Sequence, residues 1–258
     1  MSATASFLPL ILRDVGLFRG GLKVLKDISV TFDHKAPKTV IIGPNGAGKS
    51  LLLQVCHGLV SAETGSVEWS GTPGLDQLSR SQSMVFQRPV LFRRSVTANL
   101  SLTLKLAGFP KQEWGDRVAE ILSRTGLGRY ADTQARVLSF GEQQRLAIAR
   151  ALIVEPRVMF LDEPTASLDP AAAHMVETLI EEAAKDGVKI IMTSHDLNQT
   201  RRLADEIIFL HRGRIKERAP AKQFFEAPEN DLAQAFINGE LLWWRRRSIY
   251  EADADKTC

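Results

Sequence analysis

The sequence has few of the features that mark a secreted or membrane-spanning protein. Its 258 residues include only two cysteines, Cys56 and Cys258, so no disulfide framework is expected and a reducing compartment is favoured. No hydrophobic run approaches the roughly 20 residues that a transmembrane helix needs. The N-terminal stretch MSATASFLPLILRDVG has an apolar patch, but it lacks the basic start and long apolar core of a signal peptide.

The sequence also has little net charge. Its 33 lysines and arginines nearly balance 30 acidic residues, and the resulting +3 is too small to indicate nucleic acid binding. Three consecutive arginines, Arg245–Arg247, lie beside Trp243 and Trp244. Such a cluster can meet anionic lipid or RNA, but it is also typical of a solvated terminus. We interpret residues 241–258 as a C-terminal tail.

Short apolar runs alternate with helical patterns along most of the chain. The predicted strands lie at 39–43, within 64–71, and at 83–86, 158–162, 188–194 and 206–210. One helix is marked by Asp169 as its N-cap, Pro170 as its first residue and Gly187 just past its end. Residues 95–135 have almost no strand pattern and are predicted to be a helical insert. The alternation predicts an α/β fold with a parallel sheet.

A glycine-rich turn follows the first buried strand run. The octapeptide GPNGAGKS (43–50) fits the spacing G-x-x-x-x-G-K-[ST], with a strand before it and a helix after it. Its glycines allow successive backbone N–H groups to point at phosphate oxygens. Lys49 adds a full positive charge for the β- and γ-phosphates, and the Ser50 hydroxyl can bind Mg²⁺. This pattern predicts a nucleotide triphosphate site.

Two carboxylates end the apolar run VMFLDE (158–163). A buried parallel strand that ends in Asp162 and Glu163 places both acids at the edge of the sheet where ligands bind. Asp162 is predicted to hold Mg²⁺, and Glu163 to polarise the attacking water. Taken alone, such a pair also fits ordinary turn residues; the upstream phosphate loop favours the functional interpretation.

The stretch RVLSFGEQQRLAIARAL (136–152) predicts a loop and then a helix. Ser139 is the expected N-cap, and Glu142 completes a capping box. A helix start of this kind suits an anion, because it has free N–H groups and the positive end of the helix dipole. The stretch itself supplies no phosphate-binding lysine or metal ligand.

These segments together resemble the ATP-binding cassette (ABC) ATPases over about residues 10–240. GPNGAGKS is similar to the Walker A motif, VMFLDE to Walker B, and LSFGE (138–142) to the signature LSGGQ. Gln87 lies at the Q-loop position, the sequence SLD ending at Asp169 resembles the D-loop, and His195 resembles the switch histidine. Phe18 lies where the family places an aromatic ring that stacks on adenine, although core packing also fits this residue.

The resemblance implies a P-loop (RecA-like) parallel-sheet core with an N-terminal antiparallel β subdomain and an inserted α-helical subdomain. It implies one ABC ATPase domain over residues 7–240. Within it, residues 7–87 and 155–240 form the nucleotide-binding core, and residues 88–154 form the helical subdomain with the signature.

The family's functional residues carry over to matching positions in this sequence. Glu163, His195 and Gln87 are the implied catalytic residues, with ATP and Mg²⁺ as cofactors. The implied nucleotide contacts are Phe18, Gly43, Pro44, Asn45, Gly46, Ala47, Gly48, Lys49, Ser50, Ser139, Gly141, Glu142 and Asp169. The implied metal ligands are Ser50, Gln87 and Asp162. In this family two copies pair head to tail, so that Ser139 and Gly141 of one subunit meet the γ-phosphate bound by the other.

Two residues depart from the family's signature. Phe140 occupies a position where glycine is usual, and Glu142 one where glutamine is common. A positive φ at position 140 would make phenylalanine cost on the order of 1 kcal/mol or more, whereas a helical or extended backbone would let the ring pack. Both departures are treated as compatible with hydrolysis.

A single cassette without membrane spans usually serves a separate permease. The segment RPVLFRRSVTANL (88–100) lies where the family has the groove for a permease helix, and Val90, Leu91 and Phe92 are expected to be exposed there. The resemblance implies a homodimer, permease subunits and indirectly an extracytoplasmic solute-binding protein, with no nucleic acid, at the cytoplasmic face of the inner membrane. Tungstate-type importer subunits are the most similar; phosphate or molybdate importers, a soluble non-transport cassette and a non-hydrolysing regulatory cassette are the alternatives.

Overall fold

Two β-sheets organise the chain, whose computed structural model describes residues 8–70 and 81–240. The strands are β1 (Leu10–Arg19), β2 (Leu22–Phe32), β3 (Lys38–Ile42), β4 (Thr64–Trp69), β5 (Gln82–Val85), β6 (Val158–Asp162), β7 (Lys189–Thr193), β8 (Glu206–His211) and β9 (Arg214–Pro220). An antiparallel sheet has the order β2-β1-β4, and a six-stranded sheet has the order β5-β6-β7-β3-β8-β9. In the larger sheet the five strands β3, β5, β6, β7 and β8 run parallel to one another, and β9 pairs antiparallel with β8.

Helices cover the larger sheet and fill the chain between its strands. They are α1 (Lys49–His57), α2 (Val96–Leu106), α3 (Trp114–Arg124), α4 (Phe140–Leu152), α5 (Pro170–Lys185), α6 (Leu197–Leu203), α7 (Ala221–Glu226) and α8 (Asp231–Ile237). None of the described helices is both long and apolar enough to cross a bilayer.

Strand β6 shows why the central strands are continuous apolar runs. All five of its residues are buried, and the four apolar residues before Asp162 alternate between two hydrophobic clusters. Met159 and Leu161 pack into the cluster that includes α4 and α5, whereas Val158 and Phe160 pack into the cluster formed with α1 and the antiparallel sheet. Because both faces are covered, no polar face remains to give the alternating pattern of a half-exposed strand.

Most of the predicted elements are confirmed. The α/β fold with a largely parallel sheet, an antiparallel N-terminal sheet and helices between β5 and β6 is present. Helix α5 has Asp169 as its N-cap and Pro170 as its first residue, and Gly187 follows it with φ +90°. The subdomain boundaries stay predictions, while residue 7 and the predicted tail 241–258 lie outside the described residues.

Strand β9 has no counterpart among the predicted apolar runs. Its sequence RIKERAP contains only one large aliphatic residue and ends in Pro220. It lies at the edge of the sheet and pairs only with β8 in the described part of the chain, so most of its side chains are exposed. An edge strand of this kind needs no buried apolar pattern and tolerates a terminal proline.

The prediction that Leu91 is exposed is wrong. Its relative exposure is 6%, while Val90 and Phe92 on either side are 76% and 44% exposed. The loop is tied down by Asn99, whose side chain accepts a hydrogen bond from the Phe92 N–H and donates to the Phe92 carbonyl. With the loop anchored in this way, the Leu91 side chain points into the core formed by the helices.

Candidate active site

The phosphate loop connects β3 to α1 through backbone conformations that favour glycine. Gly43 has φ +148°, and a Cβ there would lie 2.0 Å from the Leu210 carbonyl oxygen. Gly48 has φ +103° and is the N-cap of α1, which begins at Lys49. A side chain at either position would clash or be strained, so the tight turn depends on these glycines. The predicted Walker A loop therefore has the geometry expected of a phosphate cradle.

Lys49 lies inside this loop with only 6% of its side chain exposed. Its Nζ donates to the carbonyl oxygens of Gly43 and Pro44 at 2.9 and 3.4 Å, and lies 3.9 Å from Oε1 of Glu163. Desolvation lowers the pKa of Lys49, and the charges of Glu163 and Asp162 oppose that shift. The ammonium group is thus held at the mouth of the turn beside the acids of the next strand.

Asp162, the last residue of β6, accepts two hydroxyl hydrogen bonds on one oxygen. Ser50 Oγ and Thr193 Oγ1 donate to its Oδ1 at 2.8 and 2.7 Å. Thr193 also accepts a hydrogen bond from the Glu163 backbone N–H at 2.9 Å. Sequence reasoning missed Thr193; its signal was a hydroxyl residue that follows the apolar run at 190–192 and lies two residues before His195.

Glu163 is held by two side chains that come from other strand ends. Its Oε2 accepts from Gln87 Nε2 at 3.3 Å and lies 3.1 Å from His195 Nδ1. The residue has φ +45°, which is uncommon for a side chain other than glycine. Its side chain is 16% exposed, against 57% for His195. The carboxylate is therefore oriented but still reachable by water.

The structure brings together six of the predicted site residues. They are Lys49, Ser50, Gln87, Asp162, Glu163 and His195, joined by hydrogen bonds or an ion pair. They meet because the carboxyl ends of β3, β5, β6 and β7 lie at one edge of the larger sheet. Sequence separation is thus irrelevant to their proximity.

The signature residues form a separate group. Ser139 is the N-cap of α4, and its capping box with Glu142 is complete. The Ser139 N–H and Oγ donate to Glu142 Oε2 at 2.9 and 2.8 Å. Hydrogen bonding from Tyr130, followed by bonding from Ser139, lowers the pKa of Glu142. Among the described residues, no hydrogen bond joins this group to the phosphate loop.

Phe140 and Gly141 begin helix α4. Phe140 is its first residue, is 37% exposed and does not have a positive φ, so the strain considered for this position is absent. At Gly141 a Cβ would lie 2.8 Å from the Ala172 Cβ, so the close approach of α5 requires a small residue there. Glycine is thus needed at the second position of the signature helix and not at the first.

Two other predicted contacts lie apart from the six-residue group. Asp169 caps α5 by accepting from the N–H groups of Ala171 and Ala172, which confirms its capping role. Phe18 is 36% exposed in β1, and its backbone N–H donates to Glu63 Oε1. Adenine stacking by Phe18 and an interface role for Asp169 stay predictions.

A second surface feature is an apolar groove between β5, α2 and α4. The groove has a volume of about 580 Å³. Its walls include the exposed side chains of Val90, Phe92 and Leu106. Arg150 lies on it, donating to the Val90 carbonyl at 2.7 Å with its guanidinium 5.3 Å from the centre of the Phe92 ring.

Comparison with known proteins gives consistent matches. A family model described as ABC transporter matches residues 25–166. The tungstate uptake system ATP-binding protein TupC of Peptoclostridium acidaminophilum is 41% identical over 77% of this chain and 92% of its own. The glutamine transport ATP-binding protein GlnQ of Geobacillus stearothermophilus is 34% identical over 87% and 96%. A dimeric ATP-binding cassette in a post-hydrolysis state with ADP and Pi superposes with a TM-score of 0.72, 26% identity, and coverage of 82% and 98%.

Proposed function

Since the chain belongs to the ABC transporter family and is an ATP-hydrolysing enzyme, we propose that it powers an importer for a tungstate-like oxyanion through a separate membrane permease. One observation carries the catalytic part: a buried lysine, a hydroxyl–carboxylate pair and an oriented glutamate converge at one edge of the sheet. The 41% identity to a tungstate uptake subunit supports the choice of solute.

We infer that the loop at residues 43–50 holds the triphosphate of ATP. Its backbone N–H groups and the start of α1 supply partial positive charge, and Lys49 supplies a full charge. The Lys49 ammonium donates to the Gly43 carbonyl and lies near Glu163, so it is held inside the cradle. Phosphate oxygens can replace these contacts of the Lys49 ammonium without a change in the backbone of the loop.

The oxygen atoms of Ser50 and Asp162 suit Mg²⁺ as ligands. Ser50 Oγ and Asp162 Oδ1 lie 2.8 Å apart, and both are hard oxygen ligands. The Gln87 amide oxygen is a third hard oxygen ligand. No group of three or more His, Cys, Asp or Glu in the described part of the chain forms a metal site. This agrees with an ion that is completed by phosphate oxygens and water, and whose chemistry is to neutralise charge on the phosphates.

Glu163 is proposed as the base that orients the attacking water. Gln87 and His195 both engage Oε2, so they hold the carboxylate in one orientation, and Oε1 is left facing Lys49 at 3.9 Å. The contact with Glu163 requires a proton on Nδ1 of His195, because a carboxylate only accepts hydrogen bonds. Donation from Nε2 to the γ-phosphate would require a proton on that nitrogen as well. The arrangement supports positioning and charge stabilisation, the main contributions to phosphoryl transfer.

The second half of the site is proposed to come from another copy of the chain. Ser139, Gly141 and the start of α4 make no hydrogen bond to the described phosphate loop, and the carboxylate that Ser139 contacts is that of Glu142 in the same helix. A head-to-tail dimer would place this helix start at the γ-phosphate of the partner. ATP then joins two subunits, and hydrolysis releases them.

The groove between β5, α2 and α4 is proposed to receive the permease. Residues 81–112 contain five lysines or arginines and no acidic residue, although the whole chain is nearly balanced. No ion pair neutralises Arg88, Arg93, Arg94, Lys105 or Arg150 within the described residues. The chemistry therefore favours a permease helix with an apolar face flanked by carboxylates. Gln87 lies just before this segment and links it to Glu163.

The choice of solute rests on the 41% identity to the tungstate uptake subunit and on no contact within the described part of the chain. A phosphate or molybdate importer is the nearest alternative, and a non-transport cassette is the next. The residues proposed for hydrolysis, Lys49, Asp162, Glu163 and His195, argue against a non-hydrolysing regulatory cassette.

Reconstitution tests the proposal directly. The chain is purified from its native membrane together with the permease that it captures, and the complex is placed in vesicles with internal ATP and the cognate solute-binding protein outside. We expect uptake of tungstate that requires ATP and is lost with Glu163→Gln. Uptake of phosphate or glutamine in place of tungstate overturns the solute, and full ATP turnover without permease association overturns the transport role.

A further inference from the structure

A buried polar cluster connects the segment carrying Glu163 to the segment carrying His195. At its centre is Gln199 in α6, with a relative exposure of 2%. Its Oε1 accepts from Ser194 Oγ at 2.9 Å, and its Nε2 donates to Thr165 Oγ1 at 2.6 Å and to Glu177 Oε1 at 3.0 Å. One side-chain amide thus uses its carbonyl and both of its N–H bonds to join three elements.

Glu177 fixes the direction of this amide. It lies in α5 with 6% exposure, and its Oε1 also accepts from Arg202 Nη2 at 2.8 Å. A carboxylate can only accept hydrogen bonds, so the N–H side of Gln199 must face it and the carbonyl must face Ser194. The orientation of Gln199 is therefore determined by its surroundings.

The two hydroxyl partners are adjacent to the site in sequence. Thr165 is two residues after Glu163, and the Ala166 N–H donates to the Glu163 carbonyl at 3.1 Å. Ser194 immediately precedes His195, and its Oγ accepts from the Asp196 N–H at 3.0 Å. Gln199 itself contacts neither Glu163 nor His195 in the described hydrogen bonds. Its influence on them can act only through these two loops.

We propose that Gln199 is a positioning residue for ATP hydrolysis, which holds the loop after Glu163 and the loop of His195 in one fixed relation. The inference rests on the roles proposed above for those two residues. A buried amide with all its bonds satisfied is costly to rearrange, because any shift of either loop leaves a polar group unpaired. The cluster therefore keeps His195 Nδ1 within reach of Glu163 Oε2.

Replacing Gln199 with leucine tests the positioning role. The change keeps a similar volume but removes every bond to Thr165, Ser194 and Glu177. We expect kcat for ATP hydrolysis to fall at least about tenfold with less than about a threefold change in KM, because small misplacements of catalytic groups can cost up to about a hundredfold. Gln234→Leu, at an exposed site in α8 remote from this cluster, is the control for the same residue change and should retain wild-type kcat.

A second substitution, Gln199→Glu, distinguishes a positioning role of Gln199 from a loss of folded protein. In Gln199→Glu two carboxylates face each other, with Arg202, Asp196 and His174 lining the same cavity. Their repulsion raises the pKa of the pair, so a shared proton preserves the bridge at low pH and its loss opens the bridge at high pH. The ratio of the variant's kcat to the wild-type kcat should fall as pH rises from about 6 to 9.

The double variant Glu177→Gln with Gln199→Glu restores one amide and one carboxylate in exchanged positions. We expect kcat within about threefold of the wild type and a wild-type pH profile. Wild-type kcat in Gln199→Leu, or a loss that follows only the fraction of folded protein measured by circular dichroism, would overturn the inference. Glu163→Gln is assayed in parallel: full turnover there rejects the proposed base, whereas an inactive Glu163→Gln with unaffected Gln199 variants rejects only the inference.

Discussion

At the scale of single residues, Phe140 shows how a departure from a family pattern is explained by local backbone. Glycine is usual at this position in the signature, and a positive φ would have made phenylalanine strained. The residue is instead the first of α4 and does not have a positive φ, so its ring lies at the surface without backbone cost. The glycine that the packing requires is the next one, Gly141, against Ala172.

The backbone at Phe140 gives a direct stability test. If its conformation is helical, Phe140→Gly should lower the free energy of unfolding by about 0.5–1 kcal/mol relative to Phe140→Ala, because glycine loses more entropy. Urea denaturation of the two variants measures the difference. A glycine variant more stable than the alanine variant would indicate a strained, positive-φ position.

At the scale of elements, the segment after Gln87 shows that three adjacent apolar residues can serve different purposes. Val90 and Phe92 lie on the groove, whereas Leu91 packs with the helices. Two side chains hold the loop: Asn99 accepts a hydrogen bond from the Phe92 N–H, and Arg150 donates one to the Val90 carbonyl. Partial burial of Arg150 lowers the pKa of its guanidinium. The element therefore combines a fixed core contact with an exposed apolar surface.

The two neighbours Leu91 and Val90 form a matched pair for testing this division. Leu91→Ala should lower the free energy of unfolding by about 2–4 kcal/mol, since it removes a buried side chain. Val90→Ala should change it by less than about 0.5 kcal/mol, because the side chain is exposed. Chemical denaturation measures both, and equal losses would mean that Val90 is also part of the core.

At the scale of the whole molecule, the six-residue group and the signature group are separate in the described structure, and we propose that they are two halves of one site that a second copy completes. The first group lies at the ends of β3, β5, β6 and β7, and the second at the start of α4. The capping box already satisfies Ser139 and Glu142 locally, so this helix start is preformed before any nucleotide arrives. Preformation lowers the cost of dimer formation.

A nucleotide-dependent dimer is the expected consequence. Glu163→Gln keeps hydrogen-bonding capacity but removes the base, so ATP with Mg²⁺ should shift this variant from monomer to dimer in size-exclusion chromatography. Adding Ser139→Ala should reverse the shift. Ser95→Ala, which removes the N-cap of α2, is the control for lost capping and should leave the dimer intact. A dimer that forms equally without ATP would contradict the shared site.

The sequence by itself predicted six of the nine strands in the described residues, the helix that Asp169 caps, the phosphate loop and the acids at the end of β6. It could do so because each of these depends on neighbouring residues: glycine conformations, capping side chains and apolar runs. Lys49, Gln87, Glu163 and His195 could be named as candidates through the family pattern. Lys49 follows the glycine-rich turn, and the other three come within two residues of the end of a strand.

Only the tertiary structure decided that Leu91 is buried, that β9 completes the sheet, and that Thr193 and Gln199 support the site. Each of these depends on contacts between two elements: Asn99 of α2 bonds the loop of Leu91, β8 pairs with β9, and Glu177 of α5 bonds Gln199 of α6. The residue pattern within one element does not specify its partner, because burial and hydrogen bonding are completed only when the chain has folded.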